Sequence, residues 1–351
     1  MPEILFPYTN TDLTQEVNRV PNQFGLLNAL NIAPPEPKNS QFVRIDLKDG
    51  VIYVLSAEPR GGPAQVGPDD TESGVILQIP HFPHLEAIRV GDVDGLLEVM
   101  NGQVTPKSLD AELARKLVAI RRHHSITLEY IRLGMLKGLI KDGKGRTLYD
   151  LFDVFDITKK TVDFVLGTTG TDVRAKCEEV VDHTMSNLKG ETTTGVEAIV
   201  SPSFFAKLIM HEKVEKFWLN AQNSSEHREL TRRMMGGNWG RVFEFGDILW
   251  REYKGGLPVK NAAGEITTEA NVAANKGHTF PSGTQSMFAT YEGPVYHIER
   301  ANMAPDADNG DFIYVSSREL DHGEGVELKS QSNRLAVCKQ PESLVEISTS
   351  N

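Results

Sequence analysis

A stripe of apolar residues between about residues 107 and 139 constrains the fold of this chain more than any other feature. Apolar side chains recur there every three or four residues, which is the spacing of one helical face. They are Leu109, Leu113, Leu117, Ile120, Leu128, Ile131, Met135 and Leu139. Thr105 fits the N-cap and Pro106 the first helical position. The helix would be roughly 50 Å long, so we expect a spine along an elongated molecule.

Residues 1 to about 40 predict an N-terminal arm. Six prolines exclude a long helix there, because each lacks an amide donor and fixes its own φ angle; they are Pro2, Pro7, Pro21, Pro34, Pro35 and Pro37. Asp12–Asn18 leaves room for one or two helical turns. The apolar residues of this segment favour an arm laid across another surface over a disordered one.

A hairpin with a Gly- and Pro-rich tip is predicted next. Phe42–Leu47 alternates apolar and polar residues, Val51–Leu55 continues as a strand, and Gly74–Pro80 returns. Glu58–Glu72 contains too much Gly and Pro for regular structure. A long hairpin with a loose tip suits a segment that reaches over a neighbouring copy.

Beyond the long helix, Asp142–Gly145 predicts a turn into a second hairpin that ends near Tyr149, and a mixed α/β region follows. Its pattern predicts helices over 171–188, 203–219 and 226–235, and strands over 197–200, 242–253, 287–300, 334–337 and 344–347. Residues 255–283, which are polar and rich in Gly and Ala, predict a mobile surface loop.

Charge and cysteine content exclude several functional classes. The 351 residues carry a formal net charge of -11, which is opposite to the basic surface of a nucleic-acid binder. Cys177 and Cys338 are the two cysteines, too few for a disulfide framework, so we expect two reduced core residues. No apolar run is long enough for a membrane span, and the first residues lack the pattern of a secretory signal.

Candidate catalytic and metal-binding motifs each lack a required residue. His211–Glu215 begins like a zinc-protease helix, but a glutamate occupies the position of the second histidine. His81 and His84 flank a Phe-Pro pair and have no acidic partner at a defined spacing, which favours a turn. His123-His124 are adjacent on a helix and cannot share one ion. We therefore predict no catalytic, cofactor-binding or metal-binding residue.

Nine short segments, in a fixed order, resemble the major capsid proteins of lambda-like tailed phages, the protein E family. They are Leu13-Thr14, Pro21-Asn22-Gln23-Phe24-Gly25, Glu58-Pro59-Arg60-Gly61-Gly62-Pro63, Ile79-Pro80-His81, Thr127-Leu128-Glu129-Tyr130, Gly134-Met135-Leu136-Lys137-Gly138, Asp142-Gly143, Gln331-Ser332-Asn333-Arg334-Leu335 and Pro341. Each segment alone is modest, but the ordered set spans nearly the whole chain.

The resemblance implies an α+β chain with the tailed-phage and herpesvirus major capsid fold, of the Hong Kong phage capsid type. The implied parts are an N-terminal arm (1–40), an extended loop (41–85), a peripheral domain (86–165 and 310–351) with the spine helix (107–139), and an axial domain (166–309). Both C-terminal strands would return to the sheet of the peripheral domain.

The resemblance also implies a structural function and not an enzymatic one. Copies would assemble as hexamers and pentamers into an icosahedral head shell that expands on maturation and encloses double-stranded DNA without sequence-specific binding. Implied partners are the chain itself, a scaffolding protein, a portal protein and, as in many relatives, a small decoration protein. The protein would be made in the host cytoplasm and reside in the virion, with no membrane partner. The arm and the hairpin would gain burial on neighbouring copies.

Two groups of residues are predicted to serve assembly. Arg60, Gly61, Gly62 and Pro63 of the extended loop would contact a neighbouring copy. Gly134 and Gly138 would be bending points of the spine helix, with close packing against a strand as the equal alternative. Two other functions stay open at this stage, namely a tail-tube or portal subunit and a cytosolic metal-dependent enzyme.

Overall fold

The structure, a computed structural model, describes residues 8–20, 25–48, 72–93, 97–100, 103–106, 109–223, 240–260, 264–306 and 312–351. The chain divides into two compact units. The first unit comprises residues 1–43, 77–129 and 290–336, and the second comprises residues 44–76, 130–289 and 337–351. Both units are thus built from three separate segments of the sequence.

The helices agree with the main periodic signals of the sequence. They are α1 (Asn10–Arg19), α2 (Leu26–Leu30), α3 (Leu109–Lys137), α4 (Leu151–Val154), α5 (Val173–Ser186), α6 (Pro202–Met210) and α7 (Glu212–Asn223). Helix α3 confirms the spine helix, although it ends two residues before Leu139. Its predicted N-cap and first helical residue, Thr105 and Pro106, belong instead to a strand, Gln103–Pro106, so that part of the prediction is wrong. Gly138 ends the helix by adopting a φ of 75°, a left-handed conformation that favours glycine.

Strands form most of the remaining described structure. In chain order they are β1 (Pro35–Pro37), β2 (Phe42–Lys48), β3 (Glu72–Gln78), β4 (His81–Arg89), β5 (Leu97–Met100), β6 (Gln103–Pro106), β7 (Leu139–Lys141), β8 (Thr147–Asp150), β9 (Lys160–Asp163), β10 (Gly195–Val200), β11 (Val242–Phe245), β12 (Ile248–Glu252), β13 (Gly256–Lys260), β14 (Ile266–Ala270), β15 (Lys276–Ser282), β16 (Phe288–Glu292), β17 (Tyr314–Glu319), β18 (Gly325–Cys338) and β19 (Val345–Ser348). The pairs β2–β3 and β7–β8 confirm the two predicted hairpins over their described residues.

The first unit is organised around strand β18. Strands β4 and β17 both pair with it in antiparallel register, and β16 and then β1 continue the sheet. A buried core joins α1, α3 and this sheet, with Leu13 and Val17 from α1, Ile120 from α3, and Val315 and Leu328 from the strands. The first half of the predicted apolar stripe, from Leu109 to Ile120, is therefore the face that packs into this core.

The second unit contains a six-stranded sheet in the order β11-β12-β10-β15-β19-β9. Its core includes an aromatic group in which the rings of Phe164 and Phe204 lie 5.6 and 5.8 Å from that of Trp250. Ser201 caps α6 and Pro202 occupies its first turn. Strand β19 belongs to this sheet, so the expectation that both C-terminal strands return to one sheet is wrong for the second of them.

Three further expectations need correction. The predicted loop at 255–283 contains strands β13, β14 and β15; β13 and β14 form a hairpin whose second strand is exposed along its length, which explains its polar sequence. The single predicted strand at 287–300 ends at Glu292, before a Gly-Pro pair. The predicted helix at 203–219 is two helices, because His211 has an extended ψ of 130°. The predicted helix at 226–235 lies outside the described residues.

Within the described part of the chain, no helix is both long enough and apolar enough to cross a bilayer.

Candidate functional site

Helix α1 of the predicted arm packs on its own chain. Leu13 and Val17 are almost completely buried in the core of the first unit. The backbone N–H of Val315 donates to Oγ1 of Thr14 at 3.1 Å, and that of Ser317 donates to Oδ1 of Asn10 at 3.0 Å. The expectation that the arm gains its burial on neighbouring copies is therefore wrong for α1, because its amphipathic face finds an apolar surface in the same subunit.

The segment after α1 is held by the buried carboxylate of Glu129 on the spine helix. The backbone N–H groups of Leu27 and Asn28 donate to Oε1 and Oε2 of Glu129, each at 2.9 Å. The side-chain amide of Asn28 donates to the carbonyl oxygen of Ser125 at 3.1 Å. Two of the segments that carry the family resemblance, one ending at Gly25 and one containing Glu129, are thus adjacent in space.

Two other such segments meet on strands β4 and β18. Residues His81 and Asn333 are paired in the antiparallel register, and Nδ1 of His81 lies 2.7 Å from Oδ1 of Asn333. Next to Asn333, Nε of Arg334 donates to Oε2 of Glu292 at 3.0 Å, with both side chains at least 96% buried. Loss of either partner of such a pair would leave an uncompensated buried charge, so the pair opposes any shift that separates the two side chains.

A buried histidine of the spine helix faces the same strand. Nδ1 of His124 lies 2.8 Å from Oγ of Ser332, and Nε2 lies 3.1 Å from Oγ of Ser330. Burial, together with the nearby positive charge of Arg334, holds the pKa of His124 well below its usual value. The imidazole is therefore neutral at pH 7 and acts as a structural hydrogen-bonding group.

The predicted interface residues Arg60, Gly61, Gly62 and Pro63 lie outside the described residues. At the base of their hairpin, Phe42 of strand β2 and Ile76 of strand β3 are exposed apolar side chains. The role of the loop therefore stays a prediction.

The two predicted hinge glycines are both closely packed. A Cβ on Gly134 would lie 2.9 Å from the carbonyl oxygen of Leu139 and 3.0 Å from Cα of Ile140. A Cβ on Gly138 would lie 2.1 Å from the ring of Phe152. The neighbours of Gly134 belong to strand β7, which supports the alternative of close packing against a strand, whereas Gly138 packs against helix α4. Bending at either glycine stays a prediction.

The zinc-protease-like segment is a structural helix junction. His211 is buried; its Nε2 lies 3.1 Å from the carbonyl oxygen of Thr168, and its Nδ1 accepts the backbone N–H of Lys213 at 3.3 Å. Both ring nitrogens are thus occupied by backbone groups. Cys177 and Cys338 are free and buried, as the sequence predicts, and burial raises the pKa of each thiol to about 12.

The second unit contains a cavity of about 340 Å³ with a charged lining. Its charged residues include Lys137, Lys141, Lys159, Lys276, Glu269 and Glu346. Burial raises the pKa of Glu346, but hydrogen bonds from Lys159 and Lys276 outweigh it and lower the pKa. Burial lowers the pKa of Lys137. The lining of the cavity thus includes an ion-pair network in which Lys159 and Lys276 share Glu346 as acceptor.

Sequence reasoning missed one side-chain cluster. His84 is on strand β4 and not in a turn, and Glu86, two residues later, projects from the same strand face. Helix α3 brings His123 to the same place, so His123 is near His84 and not paired with His124. The His-x-Glu spacing on a strand is the signal that could have identified Glu86 as the acidic partner of His84.

The comparison with protein families gives one match. The family described as phage major capsid protein E matches residues 9–349. The major capsid protein of Pseudomonas phage KPP10 is 30% identical over 358 residues, covering 99% of this chain and 98% of the relative. The major capsid protein of Salmonella phage Felix O1 is 26% identical over 357 residues, covering 96% of this chain and 95% of the relative.

Solved structures agree on the fold. A protein assigned as the capsid protein of a prophage of E. coli CFT073 superposes with a TM-score of 0.61 at 13% identity, covering 98% of this chain and 99% of that chain. A phage-related protein from Bordetella bronchiseptica gives a TM-score of 0.54 at 11% identity, covering 96% of each chain. At such identities the likeness concerns the fold alone.

Proposed function

The chain belongs to the phage major capsid protein E family, and we propose that its copies form hexamers and pentamers of an icosahedral head shell. A major capsid protein builds the virion shell from many copies of one chain, so shell assembly is the function of this protein. The observation that carries this conclusion is the family match over residues 9–349, together with the α+β capsid fold. Hexamers, pentamers and expansion of the shell on maturation are the finer parts of the proposal.

The partners beyond the chain itself are a scaffolding protein during assembly, a portal protein at one vertex and a small decoration protein on the outside. Double-stranded DNA is enclosed without sequence-specific binding. The net charge of -11 supports this last point, because an acidic wall does not trap packaged DNA by counterion release.

The roles of the separate parts of the chain are also part of the proposal. The predicted peripheral domain includes the spine helix, the predicted axial domain covers residues 166–309, and Arg60, Gly61, Gly62 and Pro63 contact a neighbouring copy. A hairpin tip with little core of its own gains burial most readily on another subunit. We also propose a non-enzymatic function, which the structural role of the family supports.

Negative-stain electron microscopy of the expressed full chain, with and without its scaffolding protein, tests the assembly proposal. We expect closed, roughly spherical shells. Tubes would point to a tail-tube subunit and isolated rings to a portal, and either result would contradict the proposal.

The loop role has its own test. Deletion of Glu58–Glu72 should leave folded subunits that fail to close into shells. A matched variant replaces the same residues with an equally long Gly-Ser linker, so that length is kept and sequence is lost. Normal particles from both variants would show that the loop is dispensable.

A further inference from the structure

Two histidines and one glutamate of the first unit form a compact group of potential metal ligands. His84 and Glu86 belong to strand β4 and His123 to helix α3, and one ligand atom from each lies within 4.8 Å of the other two. Nε2 of His84 is 3.2 Å from Oε1 of Glu86. The rings of His84 and His123 lie 4.6 Å apart between centroids.

These distances are close to those of a tetrahedral site. Two ligands bonded to Zn²⁺ at 2.0–2.1 Å stand about 3.3 Å apart, which is close to the separation of His84 and Glu86. No separation in the group exceeds 4.8 Å, which is at most about 1.5 Å more than that value. His123 is exposed, and rotation about its side-chain torsions can close a gap of this size without moving the backbone.

We propose that His84, Glu86 and His123 bind a divalent first-row metal ion such as Zn²⁺, with water in the fourth position. Two imidazoles and one carboxylate are ligands that Zn²⁺ accepts in proteins, and three protein ligands leave one coordination position open. The side chains of His84 and Glu86 are 31% and 21% exposed, so an ion and a water molecule can reach the group from solvent.

The neighbouring cation is compatible with this site. Nζ of Lys116 donates to Oε2 of Glu86 at 2.9 Å, which leaves Oε1, the oxygen next to His84, to bind the metal. The hydrogen bond orients the carboxylate in the way that groups behind metal ligands commonly do. The positive charge of Lys116 opposes a bound cation, so we expect a dissociation constant weaker than that of a structural zinc finger.

Metal binding would connect strand β4 to the spine helix within the first unit. Because the two elements come together only on folding, the ion would bind the folded chain in preference to the unfolded one and raise its melting temperature. This inference does not depend on shell assembly, since all three ligands belong to one copy.

His297 and Glu299 provide a matched control. They repeat the His-x-Glu spacing, with Nδ1 of His297 3.8 Å from Oε2 of Glu299. Among the described residues, however, only the group around His84 brings three such ligands together. A two-ligand pair should therefore bind Zn²⁺ much more weakly.

The test is a Zn²⁺ titration of the full chain after removal of metal with a chelator, using competition with a chromophoric indicator. We expect one Zn²⁺ per chain and a higher melting temperature with Zn²⁺ for the unmodified chain and for His297→Gln. His84→Gln and His123→Gln should each weaken binding at least tenfold and abolish the shift. Equal binding by these two variants, or no saturable binding by the unmodified chain, would overturn the proposal.

If circular dichroism shows that a variant is unfolded, a second measurement on the unmodified chain still tests the site. Co²⁺ added to the unmodified chain should give the intense visible absorption of a four- or five-coordinate ion with nitrogen ligands. A spectrum like that of hexaaquo Co²⁺ would show that the three side chains do not bind the ion together, and would reject the site without any variant.

Discussion

Gly25 approaches Glu129 so closely that a Cβ at position 25 would lie 2.0 Å from Oε2 of the carboxylate. Gly25 also has a φ of 96°, which residues with a side chain rarely adopt. The carboxylate accepts the backbone N–H groups of Leu27 and Asn28 at this place. The residue before helix α2 must therefore be glycine both for its backbone conformation and for the space that Glu129 occupies.

We expect Gly25→Ala to lower the free energy of unfolding of the unassembled chain by at least about 2 kcal/mol. A side-chain-bearing residue in this backbone conformation, with φ 96° and ψ 137°, costs about 1–3 kcal/mol, and displacement of a buried, hydrogen-bonded carboxylate adds to it. Urea unfolding followed by circular dichroism measures the change. Gly91→Ala is the matched control, because a Cβ there would meet nothing within 4 Å. Equal stability of both variants would contradict the role of Gly25.

The buried pair of Arg334 and Glu292 should be far more sensitive to substitution than an exposed pair. Arg334→Met leaves the Glu292 carboxylate, whose side chain is 2% exposed, without its buried partner, so we expect a loss of about 3–5 kcal/mol. Arg318→Met removes an ion pair with Glu327 in which the arginine side chain is 74% exposed, and it should cost no more than about 1 kcal/mol. Urea unfolding of both variants side by side measures the difference. Similar losses would mean that burial does not set the strength of this pair.

Periodicity was sufficient for the elements that have one apolar face. The stripe from Leu109 to Met135 predicts α3 because one face of that helix is buried and the other is not. The prediction of α1 depends on the gap between prolines, and that of the hairpin at Asp142–Gly145 depends on its turn residues. Periodicity also gives the base of the β2–β3 hairpin. It fails for strand β14, whose residues are all exposed, because an exposed strand has no burial pattern to reveal.

The candidate sites were harder to predict because their residues are distant in sequence. Glu129 binds amides about 100 residues before it, and His124 faces serines more than 200 residues after it. Adjacent positions, such as His123 and His124, face different neighbours once the helix is packed. Only the local part of a site is visible in a sequence, as the His84-x-Glu86 spacing on one strand face illustrates.

The buried His124 predicts a loss of stability in mild acid. Its pKa in the folded chain lies well below the usual value of 6.5, so below pH 6.5 the unfolded chain binds a proton that the folded chain does not. The stabilising contribution is present above pH 6.5 and is lost as the pH falls, at up to about 1.4 kcal/mol per pH unit. His124→Gln should reduce this slope between pH 6.5 and 5 in urea unfolding. An unchanged slope in the His124→Gln variant would contradict the assignment.

The two cysteines should be inert in the folded chain. Burial raises the pKa of Cys177 and of Cys338 to about 12, so almost no thiolate exists at pH 8, and neither sulfur is accessible. A thiol-reactive chromophore should detect almost no thiol in native protein and two per chain in concentrated urea. Rapid reaction of one thiol before unfolding would show that its part of the core opens readily.

Substitution of Gly134 by alanine tests whether this position is closely packed, because packing decides whether the free energy of unfolding falls or rises. In an unobstructed helix interior, Gly→Ala stabilises by about 0.8–1 kcal/mol, because alanine has the higher helix propensity. Here the new Cβ would lie 2.9 Å from the carbonyl oxygen of Leu139 and 3.0 Å from Cα of Ile140, and both are backbone atoms that a side-chain rotation cannot move. We therefore expect Gly134→Ala to lower the free energy of unfolding by about 1–3 kcal/mol. Stabilisation of the variant, together with impaired shell expansion, would instead favour Gly134 as a bending point of the spine helix.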